Sequence, residues 1–415
     1  TITTGHQLNL FTGPAYFLYK IITTINLCND LNKNYPDYNF IPIYWMATED
    51  HDFDEINHFN FKGKRIQWDS NQKGVVGEFK TTGLKKILKE IKEHFPENNY
   101  SKELVNLFEE SYIKFDSLSD ATRNFVHELF KKYNLIIIDA NHKDLKSCFK
   151  KFIKNEIKDN LIKKSSLPTI SKLEKSDYKI QAHSRDVNLF YIEKNKRNRI
   201  VKTGNYFTVE GSDKKLTEKN LTDLVEKNPE KFSPNVLFRT MYQEILLPNL
   251  CYIGGPAEIS YWLQLKNVFD TAKITFPILL SRNSLLLISS KQVRKLKKLD
   301  LEVDEMFLDI NELSVKKTKE FSEINIDFSE LKNNLKNQFD DLITIASKTD
   351  ISFIGAVKAQ EKKQLGGINN LEKKLLSAQK KKFSEKILRI VELRNEFFPK
   401  NSLQERNTNF SEFYC

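Results

Sequence analysis

The chain has 415 residues, a hydrophobic content of 40% and a formal net charge of +11 at pH 7. This length and composition suffice to bury the cores of two or three domains, which excludes an intrinsically disordered chain. The lysines are interleaved with glutamates in stretches such as "KKILKEIKEHF", a pattern typical of solvated helix faces, and no nucleic-acid-binding motif accompanies them. We therefore expect no nucleic-acid partner.

The cysteines and the apolar segments bear on the cellular compartment. The four cysteines, at positions 28, 148, 251 and 415, are widely spaced and include no CxxC pair, so the sequence predicts neither a disulfide framework nor a zinc ribbon. No apolar run approaches the length of a membrane span. We therefore predict a reducing, cytoplasmic location and no membrane association.

The N-terminal segment predicts a strand, a loop and a helix. "TITTG" is rich in β-branched residues, and "HQLNLFTGP" follows it as a loop. Thr12 or Gly13 is the predicted cap of the helix, with Pro14 in its first turn, where a missing N–H costs nothing. The helix itself is predicted from apolar residues at helical spacing, namely Phe17, Ile21, Ile25 and Cys28.

Two further apolar runs predict buried strands. "FIPIYWMA" is almost wholly apolar, as expected of a parallel strand covered on both faces. The run "NLIIIDA" at 134–140 follows a segment with helical periodicity. This alternation of strands and helices predicts a doubly wound α/β sheet.

The pattern changes after residue 150. "NLFYIEKNKRNRIVKTGNYFTVEG" predicts short antiparallel strands separated by turns. Near residue 250 the α/β alternation returns with "NLCYIGGP" and "TFPILLSRNSLLLIS". We therefore predict one discontinuous sheet domain, residues 1–150 and 246–315, interrupted by an insertion at 151–245.

From about residue 327 the pattern is helical almost to the end. The apolar residues that recur at steps of three and four include Leu331, Leu335, Phe339, Leu342, Ile368, Leu371, Leu375 and Ala378, with Gly366–Gly367 interrupting the second run. A helix over 351–397 would be roughly 70 Å long, and such a helix with a narrow apolar seam usually pairs in a coiled coil. An arm at 316–415 that pairs two chains is one interpretation, and a helical hairpin packed on its own domain is the other.

A cluster of charge follows the second predicted strand, in "IPIYWMATEDHDFDEINHF". A metal site is one interpretation, but the segment lacks a spacing that fixes ligand geometry as HExxH does. The solvated start of a helix is another, because acids favour a first turn. We favour the third, a polar pocket wall, where carboxylates beside an imidazole accept a proton from an amine or hold an ammonium group.

Two other loops are expected at the same edge of the sheet, where open α/β sheets bind ligands. "FTGPA" and "GGPAE" each place glycine and then proline at a predicted helix N-terminus. Free N–H groups at such a terminus favour a phosphate or a carboxylate. A tight turn is the simpler interpretation of GGP taken alone.

Several long motifs resemble the bacillithiol-biosynthesis cysteine-adding enzymes, a family of cysteine ligases. In chain order they are "TGHQLNLFTGPAYFLYK", "WMATEDHDFDEINHF", "RDVNLFYIE", "FSPNVLFRTMYQEILLPNLCYIGGPAEISYWLQLKNVF", "PILLSRNS" and "LQERNTNF". The resemblance implies a Rossmann-like core similar to class I aminoacyl-tRNA synthetases, connecting-peptide insertions and a C-terminal coiled coil that forms a homodimer. The implied reaction joins cysteine to the amine of glucosaminyl-malate, giving bacillithiol.

The expectation of a cofactor rests on analogy with the synthetases. The synthetase signatures HIGH and KMSKS are absent from the sequence, so ATP or another nucleotide is expected only by analogy, and no metal is predicted. The alternative function is a non-catalytic nucleotide-binding scaffold or dimerisation protein with a Rossmann-like core.

The expected site combines the residue patterns with the resemblance. Asp50, His51 and Asp52 are the candidate catalytic residues, because an amine must lose a proton before it attacks an acyl group, and we expect Asp50 or His51 to handle that amine. Arginines and helix N-termini suit the carboxylates of glucosaminyl-malate. The candidate substrate-binding residues are His6, Gln7, Asn9, Thr12, Gly13, Tyr16, Arg239, Gly254, Gly255, Glu258 and Arg282.

Overall fold

The computed structural model describes residues 1–193 and 195–415. Its strands are β1 (Ile2–His6), β2 (Pro42–Met46), β3 (His58–Phe61), β4 (Lys64–Gln67), β5 (Ile136–Asp139), β6 (Leu189–Glu193), β7 (Lys196–Thr203), β8 (Tyr206–Val209), β9 (Lys215–Leu216), β10 (Phe232–Pro234), β11 (Cys251–Gly254) and β12 (Ile278–Ser281).

Helices account for most of the remaining chain. They are α1 (Tyr16–Asn34), α2 (Phe53–Ile56), α3 (Leu84–His94), α4 (Asn99–Phe108), α5 (Leu118–Phe130), α6 (Lys143–Asp159), α7 (Leu161–Lys175), α8 (Glu218–Lys227), α9 (Phe238–Leu246), α10 (Pro256–Leu263), α11 (Lys266–Ala272), α12 (Ser290–Lys298), α13 (Ile310–Phe321), α14 (Ser329–Ala346), α15 (Ile351–Lys382), α16 (Ser384–Phe397), α17 (Gln404–Asn407) and α18 (Ser411–Tyr414). Short 3₁₀ turns lie at Leu10–Thr12, Val76–Glu78, Lys131–Tyr133, Pro229–Lys231, Asp304–Phe307 and Pro399–Asn401, and a π-turn at Glu109–Ile113.

A parallel sheet in the order β12-β11-β1-β2-β5 forms the core. β1 pairs with β2 on one side and with β11 on the other, so the strand order reverses between β1 and β11. The runs predicted at 134–140 and near 250 therefore supply strands of one sheet, although the insertion separates them in the chain. The α/β class and the Rossmann-like sheet are confirmed.

Both faces of this sheet are covered, which explains the apolar character of β2. Successive side chains of a strand point to opposite faces. Tyr44 and Met46 join a core built with α3, α4 and α5, whereas Trp45 joins the opposite core and meets the ring of Tyr242 edge-on at 5.2 Å. Every residue of β2 is consequently buried.

Helix α1 buries the predicted stripe of Phe17, Ile21, Ile25 and Cys28 but begins later than expected. Its N-cap is Ala15 rather than Thr12 or Gly13. The reason is local: Phe11, Thr12 and Gly13 all have positive φ angles, of 51°, 66° and 60°, so the backbone is left-handed there and reaches a right-handed helical conformation only by Ala15.

The insertion forms an antiparallel sheet in the order β10-β6-β7-β8-β9, as predicted. This sheet shares a hydrophobic core with the parallel sheet, because Val187 and Leu189 cluster with Trp45 and Tyr252. The predicted boundaries at 150 and 245 fall inside α6 and α9, since both helices also pack into that shared core.

The chain divides into two compact units, Thr1–Leu285 with Glu405–Cys415 and Leu286–Gln404. Residues 286–315, which the sequence placed in the sheet domain, therefore belong to the second unit. Their apolar side chains do not extend the sheet core. They pack instead against α16 in a separate cluster, with buried members Leu296, Leu301, Met306, Leu313, Ile387, Ile390, Leu393, Phe397 and Phe398.

The second unit contains a helical hairpin. Phe339 and Ala346 of α14 pack with Val357 of α15, so part of the predicted seam is buried within the chain. α15 runs unbroken through Gly366–Gly367 but ends at Lys382, and α16 begins anew after Phe383. No helix among the described residues combines the length and the apolarity needed to cross a bilayer.

Candidate active site

A cavity of about 620 Å³ opens at the carboxyl ends of the parallel strands. It includes the region where the strand order reverses between β1 and β11, the place where open α/β sheets bind ligands. Each of the five strands contributes a residue at or just after its end, namely His6, Ala47, Ala140, Gly255 and Arg282. All residues that line the cavity belong to the first compact unit.

The inserted sheet supplies a second, basic wall. Arg197 and Arg199 lie two residues apart on β7, so both point to the face that lines the cavity. Their guanidinium carbons lie 3.8 and 5.8 Å from the ring centre of Phe190. The cavity arginines are Arg185, Arg197, Arg199, Arg239, Arg282 and Arg406, against the carboxylates of Glu49, Asp50 and Glu258. This excess of positive charge favours anionic ligands.

Glu258 is the centre of a buried network at the start of α10. Its Oε2 accepts hydrogen bonds from the Gly255 N–H at 2.8 Å and from Lys20 Nζ at 2.6 Å, and its Oε1 accepts one from the Tyr252 hydroxyl at 2.8 Å. Burial alone would raise the pKa of Glu258, but the charges of Lys20 and Arg239 outweigh it and hold that pKa at about 2. The helix terminus predicted to bind an anion therefore carries an anion of its own.

Arg282 is tied to the C-terminal segment of the same unit. Its Nη2 donates to Glu405 Oε1 at 2.6 Å, its Nη1 donates to the Asn283 carbonyl at 2.8 Å, and its guanidinium lies 5.0 Å from the ring centre of Tyr16. The buried Nε–H has no hydrogen-bond partner among the described residues. Glu405 thus neutralises most of the charge of Arg282, while one donor stays available to a ligand.

Gln7 and Asp50, both predicted site residues, meet at the cavity. Gln7 Nε2 donates to Asp50 Oδ2 at 2.7 Å, and the His51 N–H donates to Asp50 Oδ1 at 2.7 Å. Burial alone would raise the pKa of Asp50, but hydrogen bonds from His51 and Gln7 and the charge of Arg197 hold that pKa far below its usual range. A carboxylate so stabilised is a weak base.

His51 and Asp52 lie outside the lining of the cavity. His51 Nδ1 is 2.9 Å from Arg197 Nη1 and 3.5 Å from Asp50 Oδ1. A guanidinium can only donate, so the shorter contact uses the Nδ1 lone pair as an acceptor and leaves the ring proton on Nε2. Asp52 is exposed and precedes α2 without a capping bond from its side chain. In this arrangement neither residue offers a free basic atom to the cavity.

The loop that holds Asn9, Thr12 and Gly13 is also outside the lining. The ring of Phe11 lies within a group of aromatic rings, including Phe59 at 5.0 Å and Phe125 at 5.2 Å, which draws the loop into the core. The first free N–H of the helix, that of Ala15, donates to the Thr408 carbonyl at 2.8 Å. One donor of the predicted anion site at this turn is therefore used within the protein.

The remaining predicted residues divide between the lining and the layer behind it. Tyr16, Arg239 and Gly255 line the cavity, whereas Gly254 is buried behind it. His6 lines the cavity too, and its Nδ1 donates to the Gln7 carbonyl at 3.1 Å. Burial and the charge of Lys20 lower the pKa of His6 to about 3, so its imidazole is neutral at physiological pH.

Several lining residues were not predicted from the sequence. Lys20 is 3% exposed and lies on the buried face of α1, where a lysine among apolar residues was an available signal. Arg197 and Arg199 share the alternation of β7, which the pattern "KRNR" shows. Glu49 directly precedes Asp50, His51 and Asp52, the predicted catalytic residues. The sequence shows each of these charged residues, but it does not show which face of each helix or strand meets the cavity.

The described residues contain no group of three or more His, Cys, Asp or Glu side chains placed to hold a metal ion. The acidic segment after β2 instead makes contacts with neutral and cationic side chains. Glu55 Oε2 accepts from Gln7 Nε2 at 2.8 Å, and Glu49 lies 3.2 Å from Lys146 Nζ. These carboxylates are thus arranged around protein donors.

Two family models match the chain. The model described as "Bacillithiol biosynthesis BshC, N-terminal Rossmann-like domain" matches residues 1–283, and the one described as "Bacillithiol biosynthesis BshC, C-terminal coiled-coil domain" matches residues 285–415. The junction between the two models lies next to the division between the compact units at Leu285.

Curated relatives match over the full chain. A protein of Flavobacterium psychrophilum is 54% identical, one of Flavobacterium johnsoniae 49% and one of Christiangramia forsetii 48%. Each match covers 100% of this chain and 78% of the relative. All three relatives carry the name "Putative cysteine ligase BshC".

Proposed function

The chain belongs to the BshC family of bacillithiol biosynthesis, and on this premise we propose that it forms the amide bond between the carboxyl group of cysteine and the amine of glucosaminyl-malate. The product is bacillithiol. The four cysteines of the chain are free thiols, which suits a reducing compartment. We therefore place the reaction in the cytoplasm.

The observation that carries the substrate assignment is the cationic cavity. Glucosaminyl-malate has two carboxylates, and arginine binds carboxylates through paired N–H donors. Arg199 has no carboxylate partner among the described residues. The guanidinium of Arg197 donates to Ser233, to the Pro234 carbonyl and to His51, and it forms no ion pair with a carboxylate of the described residues. Arg199 therefore has its charge to offer a ligand, and Arg197 has part of its charge, because Asp50 and Glu49 also interact with it electrostatically, whereas Glu405 neutralises Arg282.

The two walls of the cavity suggest how the substrates are arranged. The malate carboxylates fit the wall formed by β7, where Arg197 and Arg199 lie. The opposite wall, around Gly255, Arg239 and Tyr261, is lined by hydrogen-bonding groups and carries the ionised Glu258. A volume of about 620 Å³ is within the range of cavities that enclose small ligands.

The carboxylate of cysteine must be activated before an amine displaces one of its oxygens, because a free carboxylate is a poor acyl donor. We propose ATP or another nucleotide as the source of that activation, by analogy with class I aminoacyl-tRNA synthetases, whose Rossmann-like core this chain resembles. The arginines of the cavity would also suit a phosphate. We assign no residue to the nucleotide.

We further propose that the coiled-coil domain pairs two copies of the chain. Part of its apolar seam is covered by the hairpin of α14 and α15. Leu371, on α15, is nevertheless 59% exposed, and Ile345 and Leu342 of α14 are exposed as well. A second copy would bury these residues, since a single helix cannot bury its own stripe.

Genetic deletion tests the activity most cleanly, because it needs no knowledge of the activating cofactor. Deleting the gene from its host should abolish bacillithiol, measured by mass spectrometry of derivatised thiols, while glucosaminyl-malate accumulates. Re-expression of the gene should restore the thiol. Bacillithiol at wild-type levels in the deletion strain would contradict the proposal.

A further inference from the structure

Glu49 differs from the other two carboxylates of the cavity in being unsatisfied. Asp50 and Glu258 each accept several hydrogen bonds from protein donors. No hydrogen bond to a side-chain oxygen of Glu49 is found among the described residues, although the side chain is only 9% exposed. A buried carboxylate in this condition is costly unless a ligand completes it.

Lys146 is the ion-pair partner of Glu49 among the described residues, and the charge of Arg197 also acts on this carboxylate. Lys146 Nζ lies 3.2 Å from Glu49 Oε2, without hydrogen-bond geometry. The same ammonium donates to Asn141 Oδ1 at 2.7 Å and to the Glu230 carbonyl at 3.2 Å, so it is held by other groups. Lys146 therefore supplies charge balance and leaves the acceptor positions of Glu49 largely unused.

The position of Glu49 matches the needs of a cationic ligand group. It lines the cavity at the carboxyl edge of β2, next to Asp50 and facing a lining dominated by arginines. A substrate with both carboxylates and an ammonium needs one negative group among many positive ones. Asp50 and Glu258 are saturated, and the Nδ1 lone pair of His51 is engaged by Arg197. Glu49 is therefore the lining carboxylate whose oxygens can accept hydrogen bonds from a ligand.

We infer that Glu49 binds the primary ammonium group of a substrate, a role that rests on the proposed function. Both substrates of the ligation carry such a group, the amine of glucosaminyl-malate and the amino group of cysteine, and the shared chemistry is a primary ammonium. Glu49 holds it by a charge-assisted hydrogen bond. This assigns to Glu49 the task that the sequence suggested for Asp50 or His51.

Ligand pairs in which one member lacks the ammonium charge test the inference without requiring turnover. One arm compares glucosaminyl-malate with its N-acetylated analogue, and the other compares cysteine with 3-mercaptopropionate. Calorimetric titration of the wild-type chain should show tighter binding of the ammonium form in one pair, by about 10- to 100-fold, and Glu49→Gln should abolish that preference. The arm that responds identifies the substrate that Glu49 contacts.

A second variant separates ligand binding from a structural role. Glu49→Gln leaves Lys146 without a counter-charge, so the double variant Glu49→Gln with Lys146→Met removes both charges. If Glu49 binds the ammonium, the double variant also lacks the preference. If the double variant regains the preference, the single change acted through the orphaned lysine and the inference is overturned.

Failure of the inference can be told apart from failure of the proposed function. A wild-type chain that binds both members of each pair equally, or binds none of them, overturns the assignment of Glu49. Loss of bacillithiol on gene deletion would still support the ligase activity in that case. Conversely, an ammonium preference that depends on Glu49 in a chain whose deletion leaves bacillithiol unchanged would refute the activity alone.

Discussion

Two turns of this molecule look alike in sequence and behave differently in structure. "FTGPA" follows β1 and "GGPAE" follows β11, and each places glycine and proline before a helix. The first is drawn into the core by Phe11 and closed by Thr408 and Asn409. The second lines the cavity, where the Gly255 N–H donates to Glu258. A helix terminus is an anion site only when the protein leaves its donors free.

The largest expected loss of stability follows from removing the carboxylate of Glu258 at the second turn. Glu258→Gln leaves Lys20 buried without its counter-charge, and breaking such a pair costs about 3–5 kcal/mol. Urea unfolding at pH 7 should register a loss of this size. Glu226→Gln, which removes a solvent-exposed carboxylate from its ion pairs with Lys150 and Lys154, is the matched control and should leave the unfolding curve nearly unchanged. Equal stability of the two variants would contradict the network.

The same network predicts a pH dependence. The pKa of Glu258 is about 2 in the folded chain against an ordinary 4.5, so its ionised form contributes stability above pH 4.5 and loses it as the pH falls towards 2. The contribution is about 3 kcal/mol, since each unit of pKa is worth about 1.4 kcal/mol. The stability difference between wild type and Glu258→Gln, measured by denaturant titration across this range, should shrink on acidification. A difference independent of pH would refute the assignment.

The first turn should be intolerant of any side chain. Gly13 has a φ of 60°, and an added Cβ would lie 2.7 Å from Asn9 Cβ. Gly13→Ala should therefore cost about 3 kcal/mol, from backbone strain and overpacking together. Gly204→Ala is the matched control, because Gly204 shares the φ of 60° but has open space around it. The midpoint of thermal unfolding should be lower for Gly13→Ala than for Gly204→Ala. Similar midpoints would show that the loop around Gly13 can rearrange to accept a side chain.

Asn409 holds the first turn and should matter for stability but not for ligand affinity. Its Nδ2 donates to the carbonyls of Phe11 at 2.8 Å and Gly13 at 2.5 Å, both in the buried loop. Asn409→Ala leaves these acceptors unsatisfied, at a cost of about 2 kcal/mol. Binding of glucosaminyl-malate by the folded variant should be unchanged, whereas weaker binding would mean that this turn contacts the ligand after all. Asn106→Ala, on the exposed side of α4, is the control.

The smallest effect on folding is expected in the coiled-coil domain. Leu371→Lys with Leu375→Lys places two charges on the exposed part of the seam and should yield monomers by light scattering, with the unfolding of the first unit unchanged. Lys373→Glu with Lys374→Glu, on the same helix, controls for altered charge. An unchanged mass for the leucine variant would mean that the apolar seam packs only within one chain, in the hairpin of α14 and α15.

Local patterns were sufficient to predict most of the fold. The apolar stripe of α1, the two-sided burial of β2 and the antiparallel insertion all follow from periodicity within a short segment. The predicted domain boundaries depended on which core each helix would join, and this is not a local property. α6 and α9 carry insertion sequence yet pack with Trp45, and α16 gathers the residues after β12.

The site was less predictable because its partners are distant in the chain. Lys20 and Glu258 are 238 residues apart, and Arg282 and Glu405 are 123 residues apart. The sequence showed that charge collects after β2, but not that Arg197 would engage His51 or that Glu49 would face the cavity. Knowing that a loop lies at the sheet edge does not tell which of its side chains point inward.

The central claim is that bacillithiol is formed in the cationic cavity, and Arg199 tests it most directly. Arg199 faces the cavity and has no carboxylate partner in the part of the chain that the structure describes, so Arg199→Ala should lower kcat/KM for glucosaminyl-malate at least about tenfold, with folding unchanged. Lys202→Ala lies on the opposite face of β7 and should retain wild-type turnover in the same mass-spectrometric assay of bacillithiol. Wild-type turnover by both variants would contradict the claim and place the reaction elsewhere on the molecule.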